Sequence, residues 1–283
     1  MKEFKGRVAV ITGAASGIGH GIAEHCVQKE MKVVLADIEE AELTKTEQAL
    51  QAKGASVLAI RTDVSKTSDI ETLARKTLDA FGAVHLLFND AGVSGGVTIW
   101  ESTLADWQWV INVNLWGVIH GLRVFVPIML RQQMECHIVN TASIAGLTSG
   151  QGPGVYRMTK HGIVSLSETL YFELKQRNAQ IGVSVLCPGL IRSRIFESAR
   201  NRPKELQDPS GELITPERQA LLKLFQESMQ NAMSPEQCAE LVFKAIQQNT
   251  FYILTRTKDK EDIQQRMENI LQGQAPTPQK NFP

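Results

Sequence analysis

Apolar residues in this chain follow two alternating rhythms. Seven short runs are apolar almost without a break: residues 8–12, 32–36, 56–60, 84–88, 137–140, 182–186 and 251–254. Unbroken runs of that length suit strands covered on both faces. Between the early runs, segments 17–29, 38–52 and 67–80 carry apolar residues every three or four positions, the repeat of a half-buried helix. Two longer helical patterns follow, from about Thr103 to about Leu130, with Pro127 near its end, and from about Gly154 to Gln176. Strand-helix alternation of this kind predicts parallel βαβ units with right-handed crossovers. The fold class is therefore α/β, a doubly wound parallel sheet of about seven strands with helices on both faces.

One segment breaks the alternation. Residues 190–230 are charged, contain Pro203, Pro209 and Pro216, and precede the last expected helix and strand. They read as a lid-like excursion over the C-terminal edge of the sheet, where ligands bind in such folds. Residues 272–283 are polar with three prolines and read as a loose tail. No internal repeat or second domain is visible, so the 283 residues are expected to form one domain.

Composition removes several classes of partner. Lys and Arg total 30, as do Asp and Glu, for a formal net charge of zero. That argues against nucleic acid or an anionic membrane surface as the main partner. No uninterrupted apolar stretch reaches the length of a membrane span. The N-terminal residues 1–6 lack the apolar core of a secretory signal. Cys26, Cys136, Cys187 and Cys238 are far apart with no CxxC pair, which suits free thiols in a reducing cytoplasm. The six histidines show no ligand spacing, so no metal site is expected.

The candidate chemistry begins at the first strand-helix junction. Gly13, Ser16, Gly17, Ile18 and Gly19 form a glycine-rich turn between Val8-Ala9-Val10-Ile11 and the first helical pattern. In that context glycines let the backbone approach a pyrophosphate, and the helix N-terminus offers it N–H groups and a positive dipole end. Asp37 closes the second strand, where a carboxylate reaches both ribose hydroxyls of a dinucleotide and repels a 2′-phosphate. No Arg or Lys stands at Ser16 or Ile38, so NAD is expected over NADP. The alternative role for Asp37 is to cap the next helix.

Downstream, Ser143 follows a strand end, and Tyr156 and Lys160 stand at i and i+4 on one helix face. Free tyrosine ionises near pH 10. The spacing predicts that the Lys160 ammonium, with an oxidised nicotinamide, lowers the Tyr156 phenol enough to exchange a proton with an alcohol oxygen. A second such pair, Tyr171 and Lys175, lies too far along the helix from the sheet edge and is expected to be structural. Trp100, Trp107, Trp109 and Trp116 are expected to serve packing or subunit contact. Arg192, Arg194, Arg200 and Arg202 are expected to be scattered surface charge on the lid.

Taken with their order, these motifs resemble the short-chain dehydrogenase/reductase family over about residues 5 to 260. The matching positions are Thr12-Gly13-x-x-x-Gly17-Ile18-Gly19, Asp63-Val64, Asn89-x-Ala91-Gly92, Asn114, Ser143, Tyr156-x-x-x-Lys160 and Pro188-Gly189. The resemblance implies a Rossmann fold and an NAD-dependent oxidoreductase interconverting a secondary alcohol and a ketone. In it Tyr156 is the general acid/base. Lys160 holds the nicotinamide ribose, Ser143 binds the substrate oxygen, and Asn114 holds a water that links the lysine to solvent. Asp63 and Val64 contact adenine, Asn89, Ala91 and Gly92 border the adenosine side, and Pro188, Gly189, Ile191 and Ser193 clasp the carboxamide. A homodimer or homotetramer built on the two long helices is also implied. Two positions depart from the family pattern: Asp90 stands where Asn is usual, and Ser193 where Thr is favoured. Val93, Ser94, Ile144, Ala145, Leu147, Gln151, Pro153 and Leu190 are expected to line a mostly apolar substrate space. An epimerase or dehydratase of the same fold and a non-catalytic NAD-binding scaffold are the alternatives. The intact Ser143, Tyr156 and Lys160 speak against the scaffold.

Overall fold

The computed structural model describes residues 1–207, 228–229 and 231–279. Seven strands form one sheet: β1 (Val8–Thr12), β2 (Lys32–Asp37), β3 (Val57–Arg61), β4 (Leu86–Asn89), β5 (Cys136–Thr141), β6 (Ile181–Cys187) and β7 (Tyr252–Leu254). Their spatial order is β3-β2-β1-β4-β5-β6-β7, and every neighbouring pair is parallel. The order reverses between β1 and β4, which opens a crevice beyond their C-terminal ends.

Strand pleating sends alternate residues to opposite cores. Val8, Val10, Val34, Leu87, Ile138 and Val183 join one cluster with Ile70, Phe125 and Ile163. Those three come from α3 (Thr67–Phe81), α5 (Gly117–Gln132) and α6 (Gly154–Gln176). Ala9, Ile11, Val33, Leu35, Phe88 and Val139 join the other, with Ile22, Leu43 and Val242. These belong to α1 (Gly17–Gln28), α2 (Glu40–Gln51) and α7 (Pro235–Gln248). A Cβ on Gly21 would come within 2.6 Å of the Pro235 carbonyl, so a bare backbone lets α1 and α7 touch.

Three departures from the sequence expectation bear on function. The expected single helix from Thr103 is α4 (Leu104–Ile111), a π-helical turn (Asn112–Trp116) and then α5. The span Leu104–Gln132 is long and apolar enough to cross a membrane, but half of its apolar window is buried in the protein. The helix before β7 is not the last: α8 (Asp259–Leu271) follows. Its buried residues are Asp259, Asp262 and Asn269, all polar, so its inward face leaves no apolar repeat in the sequence. Third, Arg202 is not surface charge. It is buried, 2.6 Å from Asp106 of α4, with its guanidinium over the Trp109 ring.

Of the expected lid, residues 190–207 are described, while 208–227 and 230 lie outside the described residues. The described part crosses the C-terminal edge of the sheet as two short helical turns, Ile195–Asn201 and Lys204–Leu206. Of the expected tail, residues 272–279 are described. Gln279 donates its backbone N–H to the Ser149 carbonyl and accepts from the Thr148 hydroxyl, so this part is held rather than loose.

Candidate active site

Both halves of the site meet at the crevice between β1 and β4. The turn after β1 places Gly13 at φ +72° and Gly17 at φ +55°, which glycine adopts without strain. A Cβ on Gly19 would sit 2.3 Å from the Gly13 carbonyl oxygen, and one on Gly17 would sit 2.7 Å from Ser193 Cβ. The turn and the start of the lid are thus fitted to each other at van der Waals contact. Ser16 stands at the N-cap of α1 but makes no capping bond, and the first turn, which includes Ile18, holds no acid. A helix start left in that state suits a phosphate. Thr12 organises the opposite wall. Its hydroxyl donates to the Phe88 carbonyl and accepts from the N–H groups of Asp90 and Ala91.

Asp37 accepts from Ala15 N and Glu39 N, 3.0 Å each. One carboxyl oxygen takes each N–H. The side chain supports the chain entering α2, and it faces the glycine turn. Withdrawal from water raises its pKa, and the backbone N–H bonds act against that. Asp63 is held in its own turn by Ser65 N and Oγ at 3.1 and 2.6 Å. Val64 packs on Gly117, and its carbonyl faces His120 Nδ1 at 3.0 Å. Asn89 ties β4 to β5 through Asn140, 2.8 Å away. Beyond β6, the Pro188 carbonyl accepts from Ile144 N, the Gly189 N–H donates to Thr255, and Ile191 bridges to Met233.

The proton-transfer group is assembled across β5 and α6. Ser143 follows β5 directly, and its Oγ accepts from Ala145 N at 3.1 Å. The Ser143 side chain acts to lower the Tyr156 phenol. Lys160 is buried, its Nζ 5.5 Å from the Tyr156 ring centroid, and it donates to the Thr141 carbonyl at 2.9 Å. Withdrawal from water raises the Tyr156 phenol above its ordinary value. Ser143 and the Arg157 charge lower it, and Asp90 adds to the rise. The lysine is docked on a carbonyl. Burial pulls Lys160 down to about 8.

Asn114 lies in the π-helical turn and is fully buried. Its Oδ1 accepts from Val93 N at 2.8 Å, and its Nδ2 donates to Val93 O and Thr159 Oγ1. This amide positions the chain after β4. A π turn in a helix is frequent near functional sites. A Cβ on Gly92 would sit 3.6 Å from Lys160 Nζ and 3.5 Å from Asn114 Oδ1, which brings the β4 loop against both.

The described lid is fastened at three places. Ser94 N donates to Ser198 Oγ, and Arg202 pairs with Asp106. Arg200 Nε, Asn201 Nδ2 and Arg194 Nη1 reach Glu39 at 3.0, 3.0 and 3.5 Å. Arg194 and Arg200 thus pair with the loop after β2, next to Asp37. Arg157 donates to the carbonyls of Gln151 and Thr148, holding the loop that also receives Gln279. Sequence reasoning singles out neither Thr141 nor Glu39, because each acts through a contact distant in sequence. Tyr171 packs on Phe251, in the structural role expected of it. Cys187 is fully buried.

A glycine turn at the switch point of a parallel sheet, with a Ser-Tyr-Lys group at the neighbouring strand ends, defines a dinucleotide-dependent dehydrogenase site. The family model for short chain dehydrogenase matches residues 7–204, and the chain belongs to that family. It is 35% identical over 279 residues to the "CLA biosynthesis dehydrogenase/reductase" of Lactiplantibacillus plantarum, covering 98% of this chain and 97% of that one. It is 33% identical to the "C alpha-dehydrogenase" of Sphingobium sp. strain SYK-6, covering 98% and 89%. A crystal structure of a short-chain dehydrogenase/reductase from Burkholderia phymatum, in complex with NAD, superposes with a TM-score of 0.95. It has 43% identity and full coverage of both chains.

Proposed function

We propose that this chain is an NAD(H)-dependent oxidoreductase that interconverts a secondary alcohol and a ketone. The observation that carries the reading is the buried Lys160 ammonium, 5.5 Å from the Tyr156 ring and docked on the end of the strand that leads to Ser143. When bound, NAD⁺ accepts the hydride and brings a positive nicotinamide to the site. Ser143 donates to the substrate oxygen and holds it. Tyr156 takes the hydroxyl proton as the carbinol carbon gives up its hydride, and returns a proton in the reverse direction. Lys160 binds the nicotinamide ribose and adds positive charge beside the phenolate. Gly13, Ser16, Gly17, Ile18 and Gly19 cradle the pyrophosphate, and Asp37 binds the adenosine ribose. Asp63, Val64, Asn89, Ala91 and Gly92 line the adenosine side. Pro188, Gly189, Ile191 and Ser193 clasp the carboxamide.

Ile144 and Ala145 follow Ser143, and Val155, which clusters with Val93, precedes Tyr156. All four are buried and apolar, which favours a hydrophobic alcohol or ketone. Arg194 and Arg200, engaged by Glu39, are not available to a 2′-phosphate, in keeping with NAD over NADP. The protein works in the cytoplasm as a homodimer or homotetramer. Light scattering that finds a monomer contradicts the assembly. A panel of secondary alcohols with NAD⁺, followed by the near-ultraviolet absorbance of NADH, tests the reaction class. NADH accumulates with hydrophobic members of the panel. Substrate turnover without net NADH would instead identify an epimerase or dehydratase.

A further inference from the structure

The proposed function leaves the Asp90 carboxylate, next to the glycine turn, without a role. Asp90 is half-buried on the crevice wall. Its Oδ1 accepts from Thr141 Oγ1 at 2.6 Å, and its Oδ2 lies against α1, 3.1 Å from where a Cβ on Gly19 would stand. The carbonyl of that same Thr141 receives Lys160 Nζ at 2.9 Å. Asp90 therefore joins the pyrophosphate turn to the residue on which the lysine docks.

Resting on the proposed function, we propose that Asp90 is a positioning residue for proton transfer: it fixes the Thr141 carbonyl at which Lys160 docks and supplies the counter-charge to that buried ammonium. An ammonium with 4% exposure and a carbonyl partner is costly to hold without an anion nearby. The titratable groups around it agree. Lys160 of α6 is pulled down by burial, and Asp90 is the first of the groups that raise it, with Cys187 of β6 second. Tyr156 of α6 is raised by Asp90 and lowered by Arg157. Withdrawal from water lifts Asp90 itself to about 6. The Thr141 bond and Lys160 lower it, and Asp37 at the end of β2 raises it. Cys238 of α7 is pushed up chiefly by burial, with Asp90 second. Above about pH 6 the carboxylate is ionised and holds up both the ammonium and the phenol.

Asp90→Asn removes the charge, keeps the shape and restores the family's usual residue, so folding is retained. Its removal lowers the pKa of both Lys160 and Tyr156. Both limbs of the pH profile for alcohol oxidation then move to lower pH by about one unit. Lower turnover with unmoved limbs would mean a packing role and overturn the proposal. A second arm needs no turnover. Carboxyl-carbon NMR of Asp90 is followed against pH in the wild-type protein and in Lys160→Met. Loss of the ammonium raises the Asp90 titration, because coupling between two groups is reciprocal. An Asp90 titration unchanged by Lys160→Met would overturn it. A wild-type chain that oxidised no alcohol would defeat the proposed function, and the NMR arm would still decide Asp90.

Discussion

At the scale of single residues, the site is a contest between desolvation and charge. The proposed function has Tyr156 ionise near neutral pH, yet burial raises it. Its i+4 lysine is held on a backbone carbonyl. On the proposed function, the oxidised cofactor brings the second positive charge that ionisation of this phenol requires. Tyr156→Phe is expected to lower turnover by about 10²–10⁴-fold with NADH affinity unchanged, measured by steady-state kinetics and NADH fluorescence titration. Full activity in that variant would remove the assignment. Asp37→Ala combined with Ile38→Arg is expected to move the kcat/KM preference from NAD toward NADP. Unchanged selectivity would leave Asp37 with its backbone role alone, accepting from Ala15 and Glu39.

At the scale of elements, two devices hold the reacting groups in register. The π-helical turn between α4 and α5 carries the buried Asn114, which satisfies both Val93 backbone groups. Asn114→Ala leaves those groups unpaired inside the protein, at a cost of about 1–3 kcal/mol, and should lower the thermal midpoint. An unchanged midpoint would mean that water replaces the amide. The lid is latched to Glu39 through Arg194, Arg200 and Asn201. These pairs are partly exposed, so their worth is small. Glu39→Ala is expected to speed NADH release about two- to fivefold in stopped-flow, with the difference shrinking as salt is added. Salt-independent release rates would exclude an electrostatic latch. The elements that sequence reasoning recovers are those with apolar periodicity, such as β1 to β7 and α6. Those it misses carry their information elsewhere. The π turn differs from an α-helix by one hydrogen-bond step and leaves no compositional mark. Helix α8 buries polar residues, and Glu39 acts on partners about 160 positions away.

At the scale of the whole molecule, the sheet gathers residues from 12 to 193 along one edge, and stability and function draw on different ends of it. The glycine turn, Ser143 and Tyr156 were legible because their chemistry needs fixed residue types at fixed offsets. The charge state of Tyr156 was not, since it depends on burial that no local motif encodes. Among the described groups, two buried histidines give the fold an acid weakness. His85 is lowered to about 4 and His137 to about 3, chiefly by burial. A histidine depressed in the folded state is neutral there while its unfolded counterpart takes up a proton below about pH 6.5. Stability is therefore lost as pH falls from about 6.5 toward 4. The raised Asp90 works in the opposite sense and offsets part of this. Urea unfolding should give a smaller free energy at pH 4.5 than at pH 7. An equal or larger value would contradict the histidine account.

The most direct test follows one hydroxyl. Phenolate absorbance, taken as the difference between the wild-type protein and Tyr156→Phe, is titrated with and without saturating NAD⁺. The account predicts ionisation above the ordinary tyrosine value in the free protein and below it in the NAD⁺-loaded protein. A phenol that ionises no more readily with NAD⁺ bound than in water would contradict it.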